Sequence, residues 1–280
     1  MDQFLTRESK NECLSYQLSV GAQFCRAIVD RGQKEHGRLA FDFFFESNLP
    51  AQLEALSLDL TNVYGYSVNG IKPKNGLWEL SGQASRFFFD PEAFKYWTMD
   101  MSRLGFTHDC LFTDWGALSE NEDIEEFSKN QEDVYFDSAM AHYENGFKFG
   151  AYLDLRRTLM VNPRNVDALY SIAIIKSELF FKEEALIDYD KTLDLAPDFW
   201  AARENRGALR DDLGDHLGAI SDYDAVLEAL PESTIALFNR GNSKLKIGDR
   251  EGAYSDWKHA AELGDEDAAQ RLATQFSDRK

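Results

Sequence analysis

The sequence repeats itself every 34 residues from Glu132 to about Gln275, and no other feature restricts the fold as severely. Aligned on alanine, the copies place Ala151, Ala185, Ala219 and Ala253 in one column. Four positions later stand Leu155, Tyr189, Tyr223 and Trp257, and four further on Leu159, Leu193, Leu227 and Ala261. Spacings of four and four put these residues on one face of a helix. Twelve positions before each alanine is a small residue, Ala139, Ala173, Gly207 or Gly241, which lets a second helix approach closely. Pro163, Pro197 and Pro231 close the units because proline cannot continue a helix, and Asp265 takes that place in the last copy. Gly146, Gly214 and Gly248 fall at the turn between two helices, where a positive φ is needed. Phe180 replaces glycine in the second copy and predicts a different turn there. A fixed period of this length is the signature of a solenoid of stacked units.

These columns resemble tetratricopeptide repeats. The resemblance implies an all-α solenoid of four helix-turn-helix units, 132–165, 166–199, 200–233 and 234–267, within a domain 132–280. A capping helix, 266–276, covers the last pair with Ala269, Leu272 and Phe276. It further implies that an extended peptide or a partner helix lies in a concave groove lined by the first helix of each pair. On this sequence the groove positions are Phe136, Met140, Tyr143 and Glu144, then Tyr170, Ile174, Ser177 and Glu178. The third repeat offers Glu204, Ala208, Asp211 and Asp212, and the fourth Phe238, Asn242, Leu245 and Lys246. Members that clamp a C-terminal carboxylate carry Lys and Asn in the early repeats, where this chain has Phe136 and Met140, so that mode is excluded. The groove reads as aromatic and acidic and suits a basic, partly apolar ligand. One more column, Asp154, Asp188, Asp222 and Asp256, lies on the second helices. Without a converging DxDxDG loop it reads as a solvated outer face, not a calcium site.

The N-terminal half has a different period. Residues 6–32 predict a helix with Leu14, Leu18, Ala22, Cys25 and Val29 on its apolar side. Leu39–Ser47, rich in phenylalanine, predicts a buried strand. Pro50 opens a second helix, with Asn48 as its cap and Leu53, Leu56 and Leu60 inside. Tyr66–Ile71 and Leu77–Phe88 predict a hairpin turning at Asn75-Gly76. A third helix follows, with Asp90 as cap, Pro91 first, Phe94, Trp97, Met101 and Leu104 buried, and a stop at Gly105. Cys110–Thr113 is a last strand running into Asp114-Trp115-Gly116. The order β-α-β-β-α-β after a leading helix is the split βαβ pattern of a ferredoxin-like, α+β domain, 1–118. The acidic stretch 119–131, with Glu120, Glu122, Asp123, Glu125 and Glu126, links it to the repeats.

The leading helix, the strand-helix start, the helix ending in Leu-Gly-Phe and the strand closing on Asp114-Trp115-Gly116 resemble the regulator of ribonuclease E activity B family over residues 10–120. The family's acidic tail is absent as a tail. The resemblance implies inhibition of a ribonuclease E-like enzyme, with Asp114 and Trp115 placed at the end of the sheet to contact the partner. Trp115 also suits a core position beside a tight turn.

The net charge of −19 argues against phosphate-driven binding of nucleic acid, which needs Lys and Arg; it suits a basic partner, and on charge alone ordinary solubility accounts for it better. No apolar run is long enough to span a membrane, and the N-terminus lacks a signal-peptide pattern. Three cysteines without CxxC spacing read as reduced thiols, so a cytoplasmic protein is expected, and the resemblance to the ribonuclease E regulator family implies a bacterial one. No phosphate loop, dinucleotide fingerprint or HExxH is present, and His108-Asp109-Cys110 cannot align as a relay because adjacent residues point apart. The chain therefore reads as a non-enzyme without metal or cofactor. The expected function is inhibition or adaptation of a ribonuclease by covering its RNA-binding surface. The alternative is a tetratricopeptide scaffold, or an immunity protein that neutralises a toxin.

Overall fold

The computed structural model describes residues 4–30, 38–88, 91–118 and 131–276. The chain divides into two compact units, Met1–Pro163 and Arg164–Lys280. All of the acidic link except Gln131, and the Asp90 cap, lie outside the described residues.

In the first unit, helix α1 (Arg7–Asp30) precedes strand β1 (Arg38–Ser47), helix α2 (Pro50–Asn62) and the hairpin β2 (Ser67–Lys74) and β3 (Leu77–Gln83). A two-residue strand β4 (Phe87–Phe88), helix α3 (Pro91–Thr107) and strand β5 (Leu111–Leu118) follow. Strand β1 lies between β3 and β5, β2 pairs with β3, and every pairing is antiparallel. The passages from β1 to β2 and from β3 to β5 each contain a helix. Asn75 and Gly76 both take positive φ, 51° and 84°, as a two-residue hairpin turn requires.

Alternation along β1 sends Phe41, Phe43 and Phe45 inward, all fully buried. The Phe41 ring meets Phe94 and Trp97 of α3, with centroids 4.9 and 5.0 Å away. Leu53, Leu56 and Leu60 of α2 are buried as their spacing predicts. Four local expectations change. The α2 cap is Leu49 rather than Asn48, and it makes no side-chain cap bond. Helix α3 runs through Gly105 to Thr107, because a Cβ on Gly105 would lie 2.8 Å from the Phe45 ring, so this glycine serves packing and not termination. The expected strand Leu77–Phe88 breaks after Gln83, and Phe87–Phe88 pairs with Arg38–Leu39 instead.

The fourth change is in α1. Its buried face is Cys13, Gln17, Gly21 and Cys25, while Leu18 and Ala22 face solvent. Gln17 is wholly buried because it donates to the Phe112 carbonyl at 3.1 Å and accepts the Trp115 indole N–H at 2.9 Å. A polar residue with both its needs met belongs inside, and this rotates the buried stripe away from the leucines.

The first helix pair, α4 (Glu132–Glu144) and α5 (Lys148–Val161), is part of this unit. It is fixed to α3 by Asp100, which is fully buried and accepts the Tyr64 hydroxyl at 3.0 Å and the Phe149 amide at 3.1 Å. Arg103 donates to the same carboxylate at 3.0 and 2.9 Å, and to the Gly146 carbonyl at 3.2 Å. Asp100 thus caps the start of α5 from another element, where the local Phe147 offers no side-chain acceptor.

The second unit stacks three pairs: α6 (Val166–Glu178) with α7 (Lys182–Leu195), α8 (Trp200–Asp212) with α9 (His216–Ala229), and α10 (Thr234–Lys246) with α11 (Arg250–Glu262). Helix α12 (Glu266–Gln275) closes it, and Phe276 sits against Trp257 and Tyr254. Gly207 and Gly241 lie against the aromatic of the partner helix, and a Cβ on Gly241 would come within 2.5 Å of the Trp257 indole nitrogen. Asn165, Ser233 and Asp265 accept a backbone N–H at the starts of α6, α10 and α12, as Asp215 and Asp249 do at α9 and α11.

Phe180 does not alter its turn. It adopts φ 69°, beside 89° and 87° for Gly214 and Gly248, and the same bonds close all three turns. The stacking of the pairs dictates the turn, and the residue there bears the strain. Among the described residues, no helix is long and apolar enough to cross a membrane.

Candidate partner-binding face

The face built by the first helices of the second unit carries three shallow, adjoining depressions. One of about 240 Å³ is bordered by Ile174, Ser177 and Glu178 of α6 and Asn205, Ala208 and Asp212 of α8. Its neighbour, about 320 Å³, shares Ala208 and Asp212 and adds Asp211, Asn239, Asn242, Leu245, Lys246 and Arg271. A third of about 420 Å³ shares Arg271 and runs past Phe238 to Asp267, Gln270 and Thr274 of α12. Shared walls make the three one trough across α6, α8, α10 and α12.

Within this unit the trough gathers Ile174, Ser177, Glu178, Ala208, Asp211, Asp212, Asn242, Leu245, Lys246 and Phe238 from the positions carried over on sequence. Tyr170 and Glu204 lie beside it and have inward partners. The Tyr170 ring stacks on Phe199 at 4.7 Å and its hydroxyl accepts from Asn205, while Glu204 accepts the Ser233 hydroxyl at 2.6 Å. In the first unit, Phe136, Met140 and Tyr143 of α4 are half-buried and Glu144 is exposed. Asp114 and Trp115 fall in the body of β5, not at its end. Asp114 is exposed, whereas the Trp115 ring sits edge-on to Phe24 and Phe94, 4.8 and 4.7 Å away.

The trough is less acidic than its sequence suggests. Asp211 accepts from Lys246 at 2.6 Å, Ser243 at 2.9 Å and the His216 ring at 2.7 Å. Burial alone would raise this carboxyl, but those partners outweigh it and hold its pKa below the ordinary value. Asp212 pairs with Lys182 at 2.9 Å and stays mostly exposed. Among the described residues, the Arg271 guanidinium has no ion-pair or hydrogen-bond partner. Its neighbour Asn242 is likewise unengaged through its side chain.

The aspartate column is the opposite of a solvated face. Asp154, Asp188, Asp222 and Asp256 are all buried, at 2–4% exposure. Each faces a basic residue twelve positions earlier, His142, Lys176, Arg210 or Lys244, at 3.1, 2.7, 2.9 and 2.9 Å. That basic column was in the sequence and is the signal that could have placed the aspartates inside. Arg206 grips Asp222 in a fork, at 3.0 and 2.5 Å, and reaches back to Asp190 of the preceding pair at 2.6 Å. Arg240 repeats this one unit later with Asp256 at 2.9 and 2.6 Å and Asp224 at 2.7 Å. Burial would lower these guanidinium pKa values, yet the carboxylates on either side raise them. Each arginine therefore bridges consecutive repeats and sets the register of the first helices.

His108, Asp109 and Cys110 diverge. The His108 ring pairs with Asp59 at 2.7 Å, and Asp109 accepts the Phe4 and Leu5 amides at 2.6 and 2.7 Å. Burial pushes the Cys110 thiol up to about 12 and Cys13 up to about 11, far from a nucleophilic thiolate.

No protein-family model matches the sequence, and no curated protein is recognisably similar to it. Among solved structures, MamA from Desulfovibrio magneticus RS-1 (residues 41 to the end) superimposes at TM-score 0.51 with 19% identity, covering 54% of this chain and 86% of that one. A MamA RS-1 double mutant gives 0.51 and 18% over the same shares. YrrB, described as a TPR protein with an unusual peptide-binding site, gives 0.47 and 20%, covering 51% and 74%. The helix pairs have the tetratricopeptide-repeat fold.

Proposed function

We propose that this chain is a non-catalytic interaction scaffold that holds a segment of a partner protein in the trough of its second unit. The observation carrying this reading is the continuity of the three depressions across α6, α8, α10 and α12. Apolar floor from Ile174 and Leu245 alternates there with polar side chains able to bind a peptide backbone. Net charge of −19 steers a basic protein towards the molecule from a distance. Ala208 lines two of the depressions and is exposed, so Ala208→Trp blocks the trough without touching the core. Affinity capture with the full chain and with this variant tests the reading. A partner retained by the wild type and lost by the variant supports it, and identical recovery by both rejects it.

The strand order β2-β3-β1-β5 with two helical crossovers supports a ferredoxin-like reading of the first unit. Regulation of a ribonuclease E-like enzyme by covering its RNA-binding surface is the narrower function, motivated by the resemblance over residues 10–120 and by the acidic charge. Ordinary RNA cleavage at saturating protein rejects that narrower function and leaves the scaffold in place.

A further inference from the structure

We infer that the outer face of the sheet in the first unit docks a basic partner protein, an arginine of which seats over Gly116 between Asp42 and Asp114. This face is separate from the trough, and the inference does not depend on it. Phe41, Phe43 and Phe45 point to the side on which α1 and α3 pack, so Asp42 and Phe44 point to the other. The strand register sets Gly116 opposite Asp42 and Asp114 opposite Phe44. Directly opposed residues share a face, so two carboxylates, one aromatic ring and one glycine form a single patch. Asp114 is exposed, and Asp42, Phe44 and Gly116 are half-buried.

Gly116 has no structural reason to be glycine. Its φ is not in the left-handed region, and a Cβ built on it would meet nothing within 4 Å. Among the described residues, every other glycine either has a positive φ or would press a Cβ against a neighbour. A strand glycine with free space above it leaves room for another molecule to approach the backbone. The flanking carboxylates set the charge of that molecule. At the other end of the same face, Lys74 pairs with Glu46 at 3.2 Å and with Glu79. Asp42 and Asp114 have no such cation among the described residues. Asp42 accepts the Gln83 amide at 3.4 Å, and one oxygen of Asp114 accepts the Trp115 backbone N–H at 2.9 Å. As diagonal neighbours on adjacent strands they stand about 7–8 Å apart, near enough for one guanidinium to bond both. The Phe44 ring meets no other aromatic ring among the described residues and is placed to stack on that planar cation. A second copy of this face would set aspartate against aspartate, and a phosphate backbone would meet the same repulsion.

The test is a membrane array of random 12-residue peptides probed with the full chain, Gly116→Leu, Asp114→Asn and Ala208→Trp. Bound sequences are then titrated in solution. Gly116→Leu fills the space above the strand and should melt no lower than wild type, while Asp114→Asn keeps an oxygen for the Trp115 amide. The expected result is a set of arginine-containing peptides that Ala208→Trp still binds. Their affinity should fall about three- to tenfold with Asp114→Asn, and about tenfold or more with Gly116→Leu. Lysine in place of the peptide's arginine should weaken binding, and Asp114→Lys should restore a peptide whose arginine is changed to Glu. Arginine peptides indifferent to Gly116→Leu, or no peptide separating it from wild type, overturn the docking face. Peptides lost with Ala208→Trp alone do the same and leave the trough standing. Peptides that depend on Gly116 but contain no arginine overturn the arginine assignment. Self-association of wild type that Gly116→Leu abolishes makes the occupant a second copy and overturns the basic partner.

Discussion

Asp222→Asn isolates the inter-repeat ion-pair column, because the amide matches the carboxylate in shape while removing its charge and one of the two oxygens that accept from arginine. The Asp222 side chain is 3% exposed and receives a forked pair of bonds from Arg206 and a third from Arg210. Removing one member of a buried ion pair costs about 3–5 kcal/mol, most of it from the charge left behind. Here the stranded guanidinium groups keep 14% and 26% exposure, and Arg206 retains Asp190, so the lower end, about 3 kcal/mol, is expected. Asp190→Asn is the control: that carboxylate is 52% exposed, and its loss should cost under about 1 kcal/mol. Urea unfolding followed by far-UV circular dichroism reads the difference. With a slope of about 2 kcal/mol/M, the Asp222 variant shifts the midpoint down by about 1.5 M. Replacing Asp222, Arg206 and Arg210 together by Leu or Met should recover most of the loss, since neither arginine of the fork is then stranded. Equal midpoint shifts for Asp222→Asn and Asp190→Asn would refute the reasoning.

Phe180→Gly should raise stability by up to about 1 kcal/mol, since relief of a left-handed residue exceeds the extra freedom glycine gives the unfolded chain. Gly214→Ala should lower it by a similar amount, and a thermal melt that moves the other way for either variant counts against this account. Gly241→Ala drives a methyl into the Trp257 indole and should cost about 1–3 kcal/mol, read as a lower denaturant midpoint. Asp154 and Asp211 have depressed pKa values in the folded protein, so the unfolded chain binds more protons as pH falls. Their stabilisation is complete above the ordinary aspartate value near 4 and is lost as pH drops through the depressed values. The unfolding midpoint should therefore fall from about pH 5 downwards, and Asp211→Asn should flatten that slope. Asp100→Ala strips Arg103 of its carboxylate and leaves the Phe149 amide unpaired, and should cost about 3–5 kcal/mol and speed proteolysis in the first helix pair.

The 34-residue period by itself determined the helix pairs, because a unit that buries one face on its neighbours must keep small and large residues in fixed columns. It equally determined the fully buried Ala219, Tyr223 and Trp257. Alternation determined the Phe41, Phe43 and Phe45 face, and Asn75-Gly76 its hairpin. What only tertiary structure decided were the polar residues. Gln17, Asp100 and Asp222 look like surface residues to any hydropathy pattern, and each is buried because partners far along the chain satisfy it. The left-handed Phe180 was also settled there, since two helices already packed leave their connecting turn no choice. The same holds for the binding face: a column predicts which residues point into a groove, but not which of their charges are already cancelled by a neighbour. Asp211 is cancelled by Lys246 from the next repeat, a pairing that no single repeat contains.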